Sequence, residues 1–204
     1  SDILISGAAS YNLLFDVKND RFYTRAYQNE NGKDLKLNQA FFRSRLTQNI
    51  DIKVGRQIVV WGKSDYIRIT DMLNPMDLTE PGIVDIKELR IPVFMSRIDY
   101  YLDDWALSAL ILHEQSHHRL PVFGSDFYSL PVQTQTSDRN KWDPDHTGVA
   151  FSVTRTMQGM DFGLYAANTY SAQPYVDYKP TANGPVLFYD YSRIRMLGAA
   201  MALA

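Results

Sequence analysis

Residues 94–111 read FMSRIDYYLDDWALSALI, and this stretch decides the fold. Apolar and polar side chains alternate along its first half, where Ile98 and Tyr100 share one face. After the acidic pair in the middle, the alternation resumes with Trp105 and Leu107 on one face. Two adjoining runs with a period of two predict two antiparallel strands joined by a tight turn.

The same period recurs along most of the chain. Before this hairpin, alternating runs lie at 3–16, 36–47 and 50–60, with a less regular run at 21–28. After the hairpin, alternating runs lie at 148–154, 160–166 and from 188 to the end. The sequence therefore predicts an all-β chain of nine strands.

The connections between the predicted strands alternate in length. Short turns are predicted near 18–21, 47–50, 102–105 and 157–160. Longer segments are predicted at 29–35, 61–92, 115–146 and 171–187. In a meander, this alternation places every tight turn at one end of the sheet and every long loop at the other. Outer-membrane barrels have this arrangement, whereas a β-sandwich has Greek-key connections. We therefore expect an antiparallel up-and-down transmembrane β-barrel of the outer-membrane type.

Composition is compatible with this class and excludes others. The chain has 204 residues, no Cys, 21 Lys and Arg, 23 Asp and Glu, and a net charge of -2. Without Cys there is no thiolate catalysis, Cys-based zinc site or disulfide. The near-neutral charge gives no electrostatic case for nucleic acid. The 13 Tyr, 10 Phe and 3 Trp suit the aromatic girdles of a barrel, with Tyr100, Tyr101 and Trp105 beside one turn.

The predicted strand number raises the question of closure. Nine strands is an odd number, whereas single-chain bacterial barrels close with an even number. The last predicted strand also has no visible partner. Either the chain is part of a larger barrel, or the true number of strands differs from nine. We expect residues 1–204 to form a single, incomplete β-barrel domain.

Several motifs follow one another in a fixed order in the middle of the chain. They are GRQIVVWGKSD at 55–65, DMLNPMD at 71–77, ELRIP at 88–92, YYLDDW at 100–105, LP at 120–121 and GS at 124–125. Their order resembles the family of Gram-negative outer-membrane proteins catalogued as domain of unknown function 1302, best over residues 45–130.

This resemblance implies a β-barrel among the lipids of the bacterial outer membrane. It further implies association with an RND-type transporter and a periplasmic lipid-carrier-like protein. Such partners imply movement of small apolar or lipid-like compounds without a cofactor. The family has no settled activity to carry over to individual residues.

The loop at 61–92 is the best candidate for function because it holds many charges of both signs. If it folds inward, as a long loop does in many barrels, its charges would set the selectivity of the pore. The alternative is a solvated outer loop with internal salt bridges. The candidate residues of the constriction are Asp65, Arg68, Asp71 and Asp77.

A second group of candidates lies on the strands. The alternation places Arg43, Arg45, Arg97 and Asp99 on the face that would line the lumen. They could form a charged ladder along a channel. They could equally form an Arg–Asp network that plugs and stiffens a narrow lumen, in which case the barrel would scaffold partner proteins.

One motif offers an enzymatic alternative. Residues 113–117 read HEQSH, which matches the H-E-x-x-H pattern of zinc peptidases. On a helix, His113 and His117 would bind zinc and Glu114 would act as the general base. His118 is a further weak metal candidate. The preceding alternation favours a hairpin over a helix, so the sequence favours a channel or envelope transport component that is not an enzyme.

Overall fold

The computed structural model is all-β, as the alternation predicts. It describes residues 1–11, 33–62, 70–80, 82, 85, 88–130, 134–136, 142–181 and 184–203. This part of the chain contains one short 3-10 helix, Pro144–His146, and no α-helix. None of its helices is long and apolar enough to cross a membrane.

The described residues form eleven strands. They are β1 (Asp2–Tyr11), β2 (Lys33–Thr47), β3 (Ile50–Gln57), β4 (Val93–Leu102), β5 (Trp105–Leu112), β6 (Thr134–Thr136), β7 (Gly148–Met157), β8 (Met160–Tyr170), β9 (Tyr175–Thr181), β10 (Gly184–Asp190) and β11 (Arg193–Leu203).

Eight of these strands form the main sheet, in the order β1-β2-β3-β4-β5-β7-β8-β11. Every neighbouring pair in it is antiparallel. A second sheet has the order β6-β10-β9, in which β10 runs antiparallel to β9 and parallel to β6. The predicted all-β antiparallel class is therefore confirmed. Among the described strands the main sheet is open, with β1 and β11 at its edges.

From β2 onward the connections of the main sheet alternate in length as predicted, and the turn predicted near 18–21 lies outside the described residues. Turns at 48–49, 103–104 and 158–159 join β2 to β3, β4 to β5 and β7 to β8. The long connections from β3 to β4, from β5 to β7 and from β8 to β11 lie at the opposite end, because each antiparallel strand reverses the chain. We call these the turn end and the loop end of the sheet.

The last predicted strand is wrong as a single element. β10 ends at Asp190, where the backbone N–H of Tyr191 donates to the Asp190 carboxylate, and β11 begins three residues later at Arg193. The predicted loop at 171–187 contains β9 and part of β10. At this break the chain leaves the small sheet and joins the main sheet. The alternation of apolar and polar residues gives no sign of this change.

Other predicted boundaries also differ. The strand predicted at 50–60 ends at Gln57, because the backbone N–H of Val59 donates to the side chain of Asn74 and not to a neighbouring strand. The loop predicted at 29–35 overlaps β2, and the loop predicted at 115–146 contains β6 and the 3-10 helix. The strand predicted at 21–28 lies outside the described residues.

The two faces of the main sheet have different surroundings. One face carries Ile98, Leu107, Leu164 and Leu197 on adjacent strands. Of these, Leu164 is 63% exposed and Leu197 is 88% exposed. We call this the exposed face, because its apolar side chains stay open across the described part of the sheet.

The opposite face, which we call the covered face, carries the hydrophobic core. Its strand residues Met95, Leu110, Ala150 and Ala167 are buried. They pack against residues of the connection from β3 to β4: Val59, Trp61 and Leu73. The described residues of this connection therefore lie across the covered face, and we call the connection the crossing segment.

Candidate functional site

The covered face carries two rows of charge near the turn end. In the first row, the strand register places Arg43 opposite Lys53 and Lys53 opposite Arg97. Arg43 Nη2 lies 2.9 Å from Asp2 Oδ2, and Lys53 Nζ lies 3.7 Å above the ring of Phe41. Three cations thus cross three neighbouring strands at one level.

The second row lies one step closer to the turns. Arg45 stands opposite Asp51, and Asp51 stands opposite Asp99. Arg45 Nε lies 3.0 Å from Asp51 Oδ1, and Arg97 Nε reaches across from the first row to Asp99 Oδ1 at 2.7 Å. The hydroxyl of Ser108 also donates to Asp99. The four residues predicted on the strands therefore share one face, and the pair of Arg97 with Asp99 links the two rows.

The crossing segment is held by side chains of the sequence motifs. Asn74 is almost fully buried, and its amide bonds three backbone groups. Its Oδ1 accepts from Val59 N at 2.7 Å, and its Nδ2 donates to Gln57 O at 3.1 Å and to Ile91 O at 3.0 Å. Asn74 thus connects the middle of the segment to backbone groups near both of its ends, through hydrogen bonds like those that a neighbouring strand makes.

A buried ion pair stands beside this asparagine. Asp71 Oδ2 accepts from Arg90 Nε at 3.1 Å and from Arg90 Nη2 at 2.8 Å. The side chains of Asp71 and Arg90 are only 2% and 6% exposed. Asp71 Oδ1 also accepts from Trp61 N at 3.3 Å, and the Trp61 ring lies 5.2 Å from that of Tyr165 on β8.

Arg56 ties the loop end together. Its Nη1 donates to both carboxylate oxygens of Glu114 at 3.0 Å, and its Nη2 donates to Pro92 O at 2.9 Å. Glu114 is buried and also accepts from Phe94 N at 3.0 Å. The ladders of β3 run past Gly55 without a register shift, so Arg56 stays in the phase of the exposed face while its guanidinium binds these partners.

Asp77 joins three parts of the chain. Its Oδ2 lies 2.9 Å from Lys36 Nζ on β2 and 2.9 Å from Arg119 Nη1 in the connection from β5 to β7. Burial alone would raise the pKa of Asp77. The hydrogen bonds from Thr79 and Lys36 and the charge of Arg119 outweigh burial, so the pKa lies below its ordinary value.

The H-E-x-x-H motif lacks the helix that the predicted kind of zinc site requires. Residues 113–118 follow β5 without any helix. His113 Nε2 contacts Ser96 Oγ at 2.8 Å, the His117 ring stacks on Tyr191 at 3.4 Å, and His118 Nδ1 accepts from Met76 N at 2.7 Å. No group of three or more His, Cys, Asp or Glu suited to a metal occurs in the part of the chain that the structure describes.

The predicted candidates therefore separate into three sets. Arg43, Arg45, Arg97 and Asp99 lie together on the covered face, and Asp71 and Asp77 hold the crossing segment. Asp65 and Arg68 lie outside the described residues. Sequence reasoning missed Lys53 and Asp51, although both alternate with the apolar residues of β3 and could have been placed by the same period.

The fold and this site define a class of protein: one large antiparallel sheet with an apolar exposed face and a covered face crossed by a motif-bearing segment. The chain belongs to the family described as "Protein of unknown function (DUF1302)", which matches it over residues 3–204. The predicted membership is confirmed, and the match extends well beyond residues 45–130. No curated protein and no solved structure matches this chain.

Proposed function

We propose that this protein is an outer-membrane β-barrel that acts as a channel or envelope transport component for small, hydrophobic or lipid-like molecules. The observation that carries this proposal is the exposed face of the main sheet. A soluble monomer seldom exposes a continuous apolar patch larger than roughly 300–600 Å². Here large apolar side chains stay open on strand after strand: Ile3, Phe42, Val54, Ile98, Leu107, Ile111, Phe151, Leu164, Leu197 and Met201.

The positions of charge on the exposed face fit a membrane-spanning band. On β7 this face carries Arg155, close to the turn end. On β11 it carries Arg193 and Arg195, at the loop end. Between these levels the neighbouring positions are apolar, as at Val153 and Leu164. An apolar band with charges at its two rims is the pattern that hydrocarbon between two aqueous interfaces selects.

The lengths of the strands also suit a bilayer. β4 and β7 have 10 residues, and β8 and β11 have 11. A tilted transmembrane strand needs about 9–11 residues. In the proposed larger barrel, the free edges of β1 and β11 pair with further strands. Hydrocarbon offers no water to their backbone groups, so these groups must be paired within a closed sheet.

The covered face would then line the lumen. Near the turn end, the lumen would have a charged wall formed by the row of Arg43, Lys53 and Arg97 and by the row that includes Arg45 and Asp51. Near the loop end, the crossing segment would narrow the lumen. A hydrophobic cargo, an RND-type transporter and a periplasmic lipid-carrier-like protein are proposed from the family resemblance alone.

One observation favours a second candidate, a plugged barrel that scaffolds partner proteins. Trp61 and Leu73 are buried against the covered face, so the crossing segment fills space that an open channel would need. A zinc peptidase has less support, because the motif requires a helix and residues 113–118 adopt none.

Two measurements test the proposal. Fractionation of cells should place the protein in the outer membrane, with detergent needed for extraction and a β-type circular dichroism spectrum. Release by a salt wash would contradict the barrel. In planar bilayers a channel should give discrete conductance steps, and Asn74→Ala should enlarge them by loosening the crossing segment. A barrel that stays silent in both forms would favour the scaffold.

A further inference from the structure

Arg155 is one of the charged residues on the exposed face of the main sheet. It lies on the exposed face, opposite Trp105 on β5 and Phe162 on β8. Its guanidinium carbon sits 4.9 Å from the ring centre of Trp105. Its Nε is buried and has no hydrogen-bond partner among the residues that the structure describes. The fold therefore places a guanidinium in apolar surroundings without satisfying this donor.

An apolar groove leads away from this guanidinium along the exposed face. It consists of two adjoining hollows of about 530 and 500 Å³, which share Val153, Leu164 and Ala199 as walls. The first hollow includes Trp105 and Arg155, and the second continues toward the loop end, past residues 151 and 197. A cation thus stands at one end of a trough with apolar walls.

We propose that this groove binds one phospholipid, with an acyl chain in the trough and the phosphate on Arg155. This inference rests on the proposed membrane position of the exposed face. A guanidinium matches phosphate oxygens with two parallel donors, and a buried donor without a partner is costly. Trp105 beside it is the residue type that marks the headgroup level of a bilayer.

Charge and shape together select this occupant. An uncharged oil would fill the trough and leave the guanidinium without an anion. A small soluble anion would satisfy the guanidinium and leave the trough empty. A phospholipid in the leaflet at the turn end has an anionic phosphate at the membrane surface and an acyl chain that extends inward. Its phosphate would lie at Arg155 and its acyl chain along the apolar trough.

Native mass spectrometry of the purified, delipidated protein with added phosphatidylglycerol tests this inference. The unchanged protein should retain one lipid. Arg155→Gln should lower the retained fraction roughly tenfold, the effect of losing a charge-assisted hydrogen bond. Arg195→Gln is the matched control, because Arg195 is an exposed-face arginine at the other rim that lines neither hollow, and it should retain the lipid.

Two further arms separate chain from headgroup. Diacylglycerol with the same acyl chains should be retained far less than phosphatidylglycerol. Ala199→Trp should fill the trough and release the lipid while leaving every charge in place. Equal retention by Arg155→Gln and the unchanged protein, or equal loss in Arg155→Gln and Arg195→Gln, would overturn the inference.

The outcome is separable from that of the proposed function. Each preparation is first located by cell fractionation. A protein found in the aqueous fraction would overturn the membrane proposal and this inference with it. A protein folded in the outer membrane that retains no phosphatidylglycerol would overturn the lipid site alone.

Discussion

The carboxylate of Asp71 accepts two hydrogen bonds from the guanidinium of Arg90, and both side chains are almost wholly buried. Removing one partner takes this ion pair away from the other buried charge, which costs about 3–5 kcal/mol. We expect Asp71→Ala and Arg90→Ala each to lower the free energy of unfolding by about that amount, measured by denaturant titration in detergent. The double change Asp71→Ala with Arg90→Ala should cost clearly less than the sum of the two single changes. Additive costs would show that the pair is not coupled.

The crossing segment depends on the amide of Asn74. Asn74→Ala removes three hydrogen bonds to backbone groups, each worth about 1 kcal/mol. We expect it to release the segment, so that limited proteolysis cuts between β3 and β4 several-fold faster.

The matched control for this change is Asn49→Ala. Asn49 Nδ2 also donates to a backbone carbonyl, that of Tyr101 at 2.9 Å, but in an exposed turn. Its loss should leave the rate of cleavage unchanged. Equal rates in the two variants would contradict the role given to Asn74.

The lowered pKa of Asp77 predicts that the stability of the protein decreases in acid. Its pKa is lower in the folded protein than its ordinary value of 3.8, so the folded state holds the proton less tightly than the unfolded state. The stabilisation is therefore present above pH 3.8 and is lost as the pH falls through the folded-state pKa. We expect the denaturation midpoint of the unchanged protein to fall with acid more steeply than that of Asp77→Asn. Parallel curves for the two proteins would contradict this role.

Position 62 requires glycine, both because of its backbone conformation and because Thr70 lies close to it. Its φ is +86°, and an added Cβ would lie 2.6 Å from Thr70 Oγ1. Gly62→Ala should therefore combine backbone strain with a close contact, at a cost of about 2–3 kcal/mol. Gly82→Ala is the control for strain alone, because Gly82 has φ +88° and nothing within 4 Å of its added Cβ. Denaturant titration should find Gly82→Ala clearly less costly.

The alternation predicted the main sheet well because its two faces meet different surroundings. The hairpin of β4 and β5 shows this most clearly, since apolar residues of one phase stay exposed there while the other phase reaches the core. The small sheet was missed because residues 178–186 read YKPTANGPV, in which Pro, Asn and Gly are typical of a loop. There the pairing of β9 with β10 overrides local preference.

The site was only partly predictable for a related reason. Periodicity placed Arg43, Arg45, Arg97 and Asp99 on one face, because strand residues two apart share a side. It could not pair Asp71 with Arg90 or Asp77 with Arg119, because those pairs depend on the path of irregular segments. The motifs marked these residues as important without revealing that they hold a segment across the sheet.

The central claim is that the exposed face meets hydrocarbon, and one fluorescence measurement tests it directly. The chain has no Cys, so a single introduced cysteine can carry a fluorophore. Leu164→Cys lies on the exposed face, and Thr154→Cys on the neighbouring strand lies on the covered face. In reconstituted membranes, we expect lipids with spin-labelled acyl chains to quench the fluorophore at 164 strongly and the one at 154 weakly. Equal quenching at both positions, or quenching at 164 by aqueous iodide alone, would contradict the account.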